Sequence, residues 1–281
     1  MSGDVAAKPV GIFDSGMGGL TVMRALMRAL PHESFVYLGD TARLPYGTKS
    51  ADTVTRYAVQ AAGALMRRRV KLVVVACNTA SAVALPALAR ALAPTPVIGV
   101  VEPGAEAAVA QAAGGTIAVI ATEGTVRGGA YLRAIHARAP AIRVVQQACA
   151  LFVPLAEEGM VRGEIAELVA RHYLAPLFAN TAERPRALVL GCTHFPVLAP
   201  MLSEVIAAMG ASVVLVDSAA TTAEAVQRLL AAKGLACTTP SMPSHAFLAT
   251  DAPERFARIG EIFLGRAIAP ETVELVDLQE G

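Results

Sequence analysis

Short runs of Val, Ile and Leu, separated by longer alanine-rich segments, are the feature that most restricts what this chain can fold into. Such runs are too short for helices and too uniformly apolar for strands with one wet face, so they read as strands buried on both sides. Strands are expected near Val10–Phe13, Phe35–Leu38, Leu72–Ala76, Val97–Val100, Thr116–Ile120, Arg143–Gln147, Ala187–Leu190, Ser212–Val216 and His245–Ala249. The intervals have helical character. The clearest is Ala51 to Arg69, where Val54, Tyr57, Ala58, Ala61 and Leu65 share a face and three arginines close the last turn, as the helix dipole favours. Strand and helix alternating in this way predict βαβ units around mostly parallel sheets, an α/β fold.

The plan is used twice. GIFDSGMGGLTV at Gly11–Val22 is echoed by IAVIATEGTVRG at Ile117–Gly128, and VVVACNTAS at Val73–Ser81 by LVLGCTHFP at Leu188–Pro196. The two periods differ slightly, which indicates a duplicated domain and not a solenoid array. The expected division is a first domain from 8–100 together with 213–267, a second from 101–212, and a tail from 268–281. The helix-breaking Glu102-Pro103-Gly104 marks the boundary.

Composition removes several function classes. With 281 residues, 54% of them hydrophobic and 17% charged, the chain can bury a large core and is unlike a disordered one. A formal charge of +1 with arginines interspersed among acids gives no surface for nucleic acid or acidic lipid. Met1 to Lys8 lacks the apolar run of a signal peptide, so a cytoplasmic protein is expected. The uncharged stretch Leu72–Ala89 contains Asn78, Thr79, Ser81 and Pro86, and reads as strand, loop and helix, not as a membrane span. Cys77, Cys149, Cys192 and Cys237 are far apart with no CxxC pair, so free thiols are expected.

In open parallel sheets, ligands bind beyond the carboxyl ends of the strands. Asp14–Ser15, Asp40–Thr41, Cys77–Asn78–Thr79, Thr122, Cys192–Thr193–His194 and Asp217–Ser218 all stand at such ends. Cys149 and Cys237 read as packing residues. Cys77 and Cys192 differ, because they occupy equivalent points of the duplicated plan and precede polar residues at expected helix N-termini, where a thiol pKa falls. Inverting a carbon centre needs a base on one face and an acid on the other, and the reverse reaction exchanges the roles. Two thiols in pseudo-symmetric positions meet that need.

The glycines at 16, 18 and 19 suggest a phosphate cradle, but GK[ST] is absent and Asp14 would oppose the phosphate charge. They fit a small carboxylate better, with Asp14 facing a substrate ammonium or a thiol; Ser15 serves the substrate or acts as an N-cap. Leu44–Thr48 is a turn by composition. His194, two residues past Cys192, can bond a carboxylate or stabilise a thiolate. A zinc site built on Cys77, Cys192 and His194 lacks further ligands and would occupy both thiols.

The motifs FDSGMGG, YLGDTARLPYGTKS, VACNTAS, GVVEPG, ATEGTV, PLAEEG, LGCTHFP and VDSA, in this order through nearly the whole chain, resemble the glutamate racemase family. The resemblance implies two pseudo-symmetric α/β domains with glutamate between them, and neither pyridoxal phosphate nor metal. It implies Cys77 and Cys192 as the proton donors and acceptors, Cys77 serving D-glutamate and Cys192 L-glutamate. It further implies Asp14, Ser15, Tyr46, Gly47, Asn78, Thr79, Thr193 and His194 as substrate-binding residues, with Glu157, Asp14 and His194 assisting the thiols and Thr122 and Thr125 lining the site. The family's product enters bacterial peptidoglycan. Gly128–Gly129 stand where the family often has serine. The expected partner is thus a small molecule, with no nucleic acid and no membrane; a homodimer is left open. A racemase for aspartate and a non-catalytic binding module are the competing readings, separated from this one by pocket length and by the presence of both thiols.

Overall fold

The computed structural model describes residues 5–238 and 242–278. Two sheets, each wholly parallel, organise the chain. The first contains β1 (Val10–Asp14), β2 (Phe35–Gly39), β3 (Leu72–Val75), β4 (Val97–Gly99), β9 (His245–Ala249) and β10 (Val273–Leu275), in the order β10-β9-β2-β1-β3-β4. The second contains β5 (Ile117–Ala121), β6 (Val144–Ala148), β7 (Ala187–Gly191) and β8 (Val214–Asp217), in the order β6-β5-β7-β8. Strands β2-β1-β3-β4 and β6-β5-β7-β8 are therefore the same arrangement made twice. The sequence echoes fall on matching strands: β1 with β5, and β3 with β7.

Strand residues alternate between faces, and both faces are covered. In the first sheet, Val10, Ile12, Leu72 and Val74 join one core while Phe13, Val73 and Val75 join another. In the second, Ala118, Ile120, Leu188 and Leu190 face away from Ile117, Val119, Ala187 and Val189. Helices supply the covering layers. They are α1 (Leu20–Ala29), α2 (Ala51–Arg67), α3 (Asn78–Val83), α4 (Leu85–Ala91), α5 (Val101–Ala112), α6 (Glu123–Gly128), α7 (Ala130–Arg138), α8 (Phe152–Glu157), α9 (Glu164–Phe178), α10 (Ala199–Ala208), α11 (Ser218–Ala232) and α12 (Pro253–Leu264). Complete burial of a Val or Leu contributes about 1.5–3 kcal/mol, so a strand that is apolar on both faces belongs only between two such layers.

The structure corrects the expected division in three places. The strand placed near Ser212–Val216, assigned with residues 213–267 to the first domain, pairs with β7 in the second sheet. The crossing comes one element later, where Ala219, Ala223, Val226 and Leu230 of α11 enter the core around α1. The tail 268–281 contributes β10, paired with β9, because Val273 has an apolar place to fill at the sheet edge. Glu102-Pro103-Gly104 does not break a helix: Pro103 lies in the first turn of α5, where its missing N–H has no intrahelical acceptor to lose. Helix α2 stops at Arg67, with Arg69 in a left-handed conformation at φ 57°.

Candidate active site

The carboxyl ends of both sheets meet. From the first half come Asp14 and Ser15 after β1, the 3-10 turn Tyr46–Thr48, and Cys77, Asn78 and Thr79 after β3. From the second come Thr122 after β5, Glu157 at the end of α8, and Cys192, Thr193 and His194 after β7. The structure brings all the expected site residues to this one boundary. Thr79, Thr122 and Thr125 form a hydroxyl cluster across it, with oxygens 3.1–3.3 Å apart. The Thr21 hydroxyl donates to the Thr193 carbonyl at 3.0 Å, also across the boundary. Gly47 lies against Thr122 and Gly124.

Cys77 caps α3. Its sulfur accepts from the Ala80 N–H at 3.5 Å and is hydrogen-bonded to the Ser15 hydroxyl at 3.6 Å. The expected fall in its pKa does not occur: burial and the neighbouring Asp14 carboxylate push the thiol up to about 12, outweighing the Ala80 N–H and the Ser15 hydroxyl. Ser15 is not an N-cap, since α1 begins at Leu20 behind Gly19; its oxygen accepts from the Cys77 thiol, which leaves its own O–H free to donate. Asp14 is fully buried, accepts from the Gly16 N–H at 3.1 Å, and leaves Oδ1 without a hydrogen-bond partner. Burial raises its pKa, and His194 opposes the rise.

Cys192 has different neighbours. No helix starts directly behind it, contrary to expectation; a 3-10 turn, Phe195–Leu198, begins after His194. Instead the His194 Nδ1 lies 3.7 Å from the sulfur, and its Nε2 is 3.2 Å from Glu157 Oε1. Arg255 of α12 donates to the other oxygen of Glu157 at 2.8 Å, so this run of polar side chains also bridges the halves. Burial opposes a charged His194, yet Cys192, Glu157 and Asp14 together raise its pKa from 6.5 to about 10. Burial likewise opposes ionised Glu157, and His194 and Arg255 bring its pKa below the ordinary value. One thiol is thus set beside a carboxylate and the other beside an imidazolium.

Tyr46 is held from behind by a residue noted in the sequence only for its strand-end position. Asp40 is fully buried and accepts from the Tyr46 hydroxyl, from Arg43 Nε at 2.8 Å and from the Thr250 hydroxyl at 3.0 Å. Arg255 and Tyr131 also reach site residues, and neither carries a sequence signal that sets it apart from a surface arginine or a core tyrosine. Cys149 is buried in the core of the second half, and burial raises its pKa. Among the described residues no group of three or more His, Cys, Asp or Glu side chains is arranged around a metal position, and no helix is long and apolar enough to cross a membrane.

The boundary is closed over the thiols: Cys77 is 4% exposed and Cys192 5%. A surface cleft of about 480 Å³ lies elsewhere, behind Asp40 and against Leu275–Leu278.

Residues 14–226 match the family model of Asp/Glu/Hydantoin racemases. A glutamate racemase of Geobacter metallireducens is 50% identical over 258 residues, covering 92% of this chain and 93% of the relative. The glutamate racemase of Francisella tularensis, solved in complex with D-glutamate, superimposes with a TM-score of 0.89 at 38% identity over 98% of this chain and 100% of that one. That of Thermus thermophilus, in complex with β-chloro-D-alanine, gives 0.84 at 44% identity over 98% and 99%. The chain belongs to the Asp/Glu/hydantoin racemase family and, within it, to the glutamate racemases.

Proposed function

We propose that the protein interconverts L- and D-glutamate without a cofactor, by moving the α-proton between Cys77 and Cys192. The observation that carries this reading is the pair of buried thiols at equivalent strand ends of the two halves. For L-glutamate, Cys192, assisted by the His194 imidazolium, removes the α-proton as thiolate; Cys77, kept protonated by burial and Asp14, delivers a proton to the opposite face. One C–H bond breaks and one forms, and the thiols exchange protonation states. D-glutamate runs the steps in reverse.

Asp14 Oδ1 and Asn78 Oδ1 are buried acceptors with no hydrogen-bond partner, and two unpaired acceptors beside Cys77 suit the substrate ammonium. An ammonium there also offsets the Asp14 charge, which favours ionisation of Cys77 when it must act as base. The hydroxyls of Ser15, Thr79 and Thr193, with the backbone at Gly47, remain for the carboxylates. Following the family, we place the protein in the cytoplasm, supplying D-glutamate for bacterial peptidoglycan.

The test is circular dichroism of the protein with each enantiomer of glutamate and of aspartate, followed by exchange in heavy water. Glutamate should racemise without added cofactor, and aspartate far more slowly. Cys77→Ala and Cys192→Ala should both lose racemisation, with Cys192→Ala exchanging mainly D-glutamate and Cys77→Ala mainly L-glutamate. Clear exchange of both enantiomers by a single-cysteine variant would refute the two-thiol assignment.

A further inference from the structure

The Asn78 amide owes its orientation to a chain of hydroxyls that starts in the other half of the molecule. Ser218, the first residue of α11 and 2% exposed, donates from its hydroxyl to the Leu190 carbonyl at 3.1 Å. A carbonyl only accepts, so the Ser218 proton is committed there. The Tyr131 hydroxyl lies beside Ser218, since a Cβ at Gly104 would be 3.3 Å from the tyrosine oxygen and 3.6 Å from the serine Cβ, and it is 2.8 Å from Asn78 Nδ2. With the Ser218 proton spent, the Ser218 oxygen is left as an acceptor on the Tyr131 side. The Tyr131 oxygen then accepts from Asn78 Nδ2. Every proton in the chain has one direction, from Asn78 through Tyr131 and Ser218 to Leu190, two residues before Cys192.

The direction decides which end of the amide is left over. Nδ2 is drawn to Tyr131, and Oδ1 stays unpaired as an acceptor. A reversed chain would present the amide hydrogens instead. The ring that carries the relay is held closely: a Cβ at Gly191 would come within 3.1 Å of it and one at Gly104 within 3.3 Å. Tyr131 is fully buried and belongs to the second half, whereas Asn78 opens α3 of the first.

We infer that Tyr131 and Ser218 are positioning residues, which fix the Asn78 amide with its oxygen toward the substrate ammonium and tie that orientation to the closed arrangement of the two halves. The inference rests on the proposed racemase reading, because it assumes an amino-acid ammonium at Asn78. Neither residue is taken to touch the substrate. Tyr131→Phe removes the acceptor for Nδ2 and keeps the ring. Ser218→Ala frees the Tyr131 proton to donate to Asn78 Oδ1, which turns the amide over.

Wild type, Tyr131→Phe and Ser218→Ala are compared for KM and kcat with both glutamate enantiomers, alongside urea unfolding. Each variant should raise KM about tenfold, the effect of removing one buried hydrogen bond to the substrate, with a much smaller change in kcat. Calorimetric binding of glutamate to Asn78→Ala, alone and combined with each variant, should show no further loss from either, since the amide through which they act is gone. Unchanged KM in both folded variants, or full additivity with Asn78→Ala, overturns the inference. A wild type that racemises glutamate while these results fail leaves the racemase reading standing, whereas a wild type that does not racemise glutamate overturns both.

Discussion

Gly18→Ala should injure the reaction far more than the fold. A Cβ at Gly18 would stand 2.5 Å from His194 Cε1 and Nδ1 and from Thr193 Oγ1, where ordinary contact begins at 3.4 Å, so the His194 and Thr193 side chains must shift by about 0.9 Å. The group that moves holds Cys192, at 3.7 Å from His194 Nδ1. Overpacking of this kind costs about 1–3 kcal/mol of stability. A misplacement of about 1 Å in reacting groups costs about 100-fold in rate, so kcat should fall by that order in both directions. Gly16→Ala is the matched control, because its Cβ meets only Leu44 Cδ2 at 3.6 Å and should be nearly silent. The assay is circular-dichroism racemisation beside urea unfolding. Wild-type kcat in folded Gly18→Ala, or equal losses at Gly16 and Gly18, would refute the reasoning.

Raised from 6.5 to about 10, the His194 pKa makes the imidazolium stabilising; that contribution is complete below about pH 6.5 and is lost as pH rises through about 10. Urea unfolding should therefore show stability declining across that window, and His194→Asn should flatten the decline; an unaltered pH profile in that variant would count against the charged pair with Glu157. At the amino ends of the strands, Lys71 and Glu33 form a buried ion pair at 2.5 Å, and Lys71 also donates to the Ala6 carbonyl. Lys71→Ala strands a buried carboxylate and should cost about 3–5 kcal/mol in urea unfolding, with kcat unchanged at permissive temperature because the thiols lie at the opposite strand ends. A loss below about 1 kcal/mol would mean that water or another cation replaces the lysine.

Much of the site was legible in the sequence because its chemistry is local. Asp14, Cys77, Thr122 and Cys192 each directly follow an apolar run, and the direction of parallel strands alone sends such residues to one edge. The residues whose role escaped notice act from a distance. Tyr131 reads as one more core aromatic, Ser218 as a residue between a strand and a helix, and Arg255 as a surface charge. What they do is set by partners 53, 28 and 98 positions away along the chain.

The sequence by itself determined β1 through β9, the parallel sheets and the doubled plan, because apolar periodicity and repeated motifs are properties of neighbouring residues. Only the tertiary structure decided which sheet receives β8, where α11 crosses between the halves, and which groups stand beside each thiol. Cys77 shows why. Its place at a helix N-terminus argues for a lowered pKa, but burial beside Asp14 depends on how the halves close, and desolvation outweighs the local N–H.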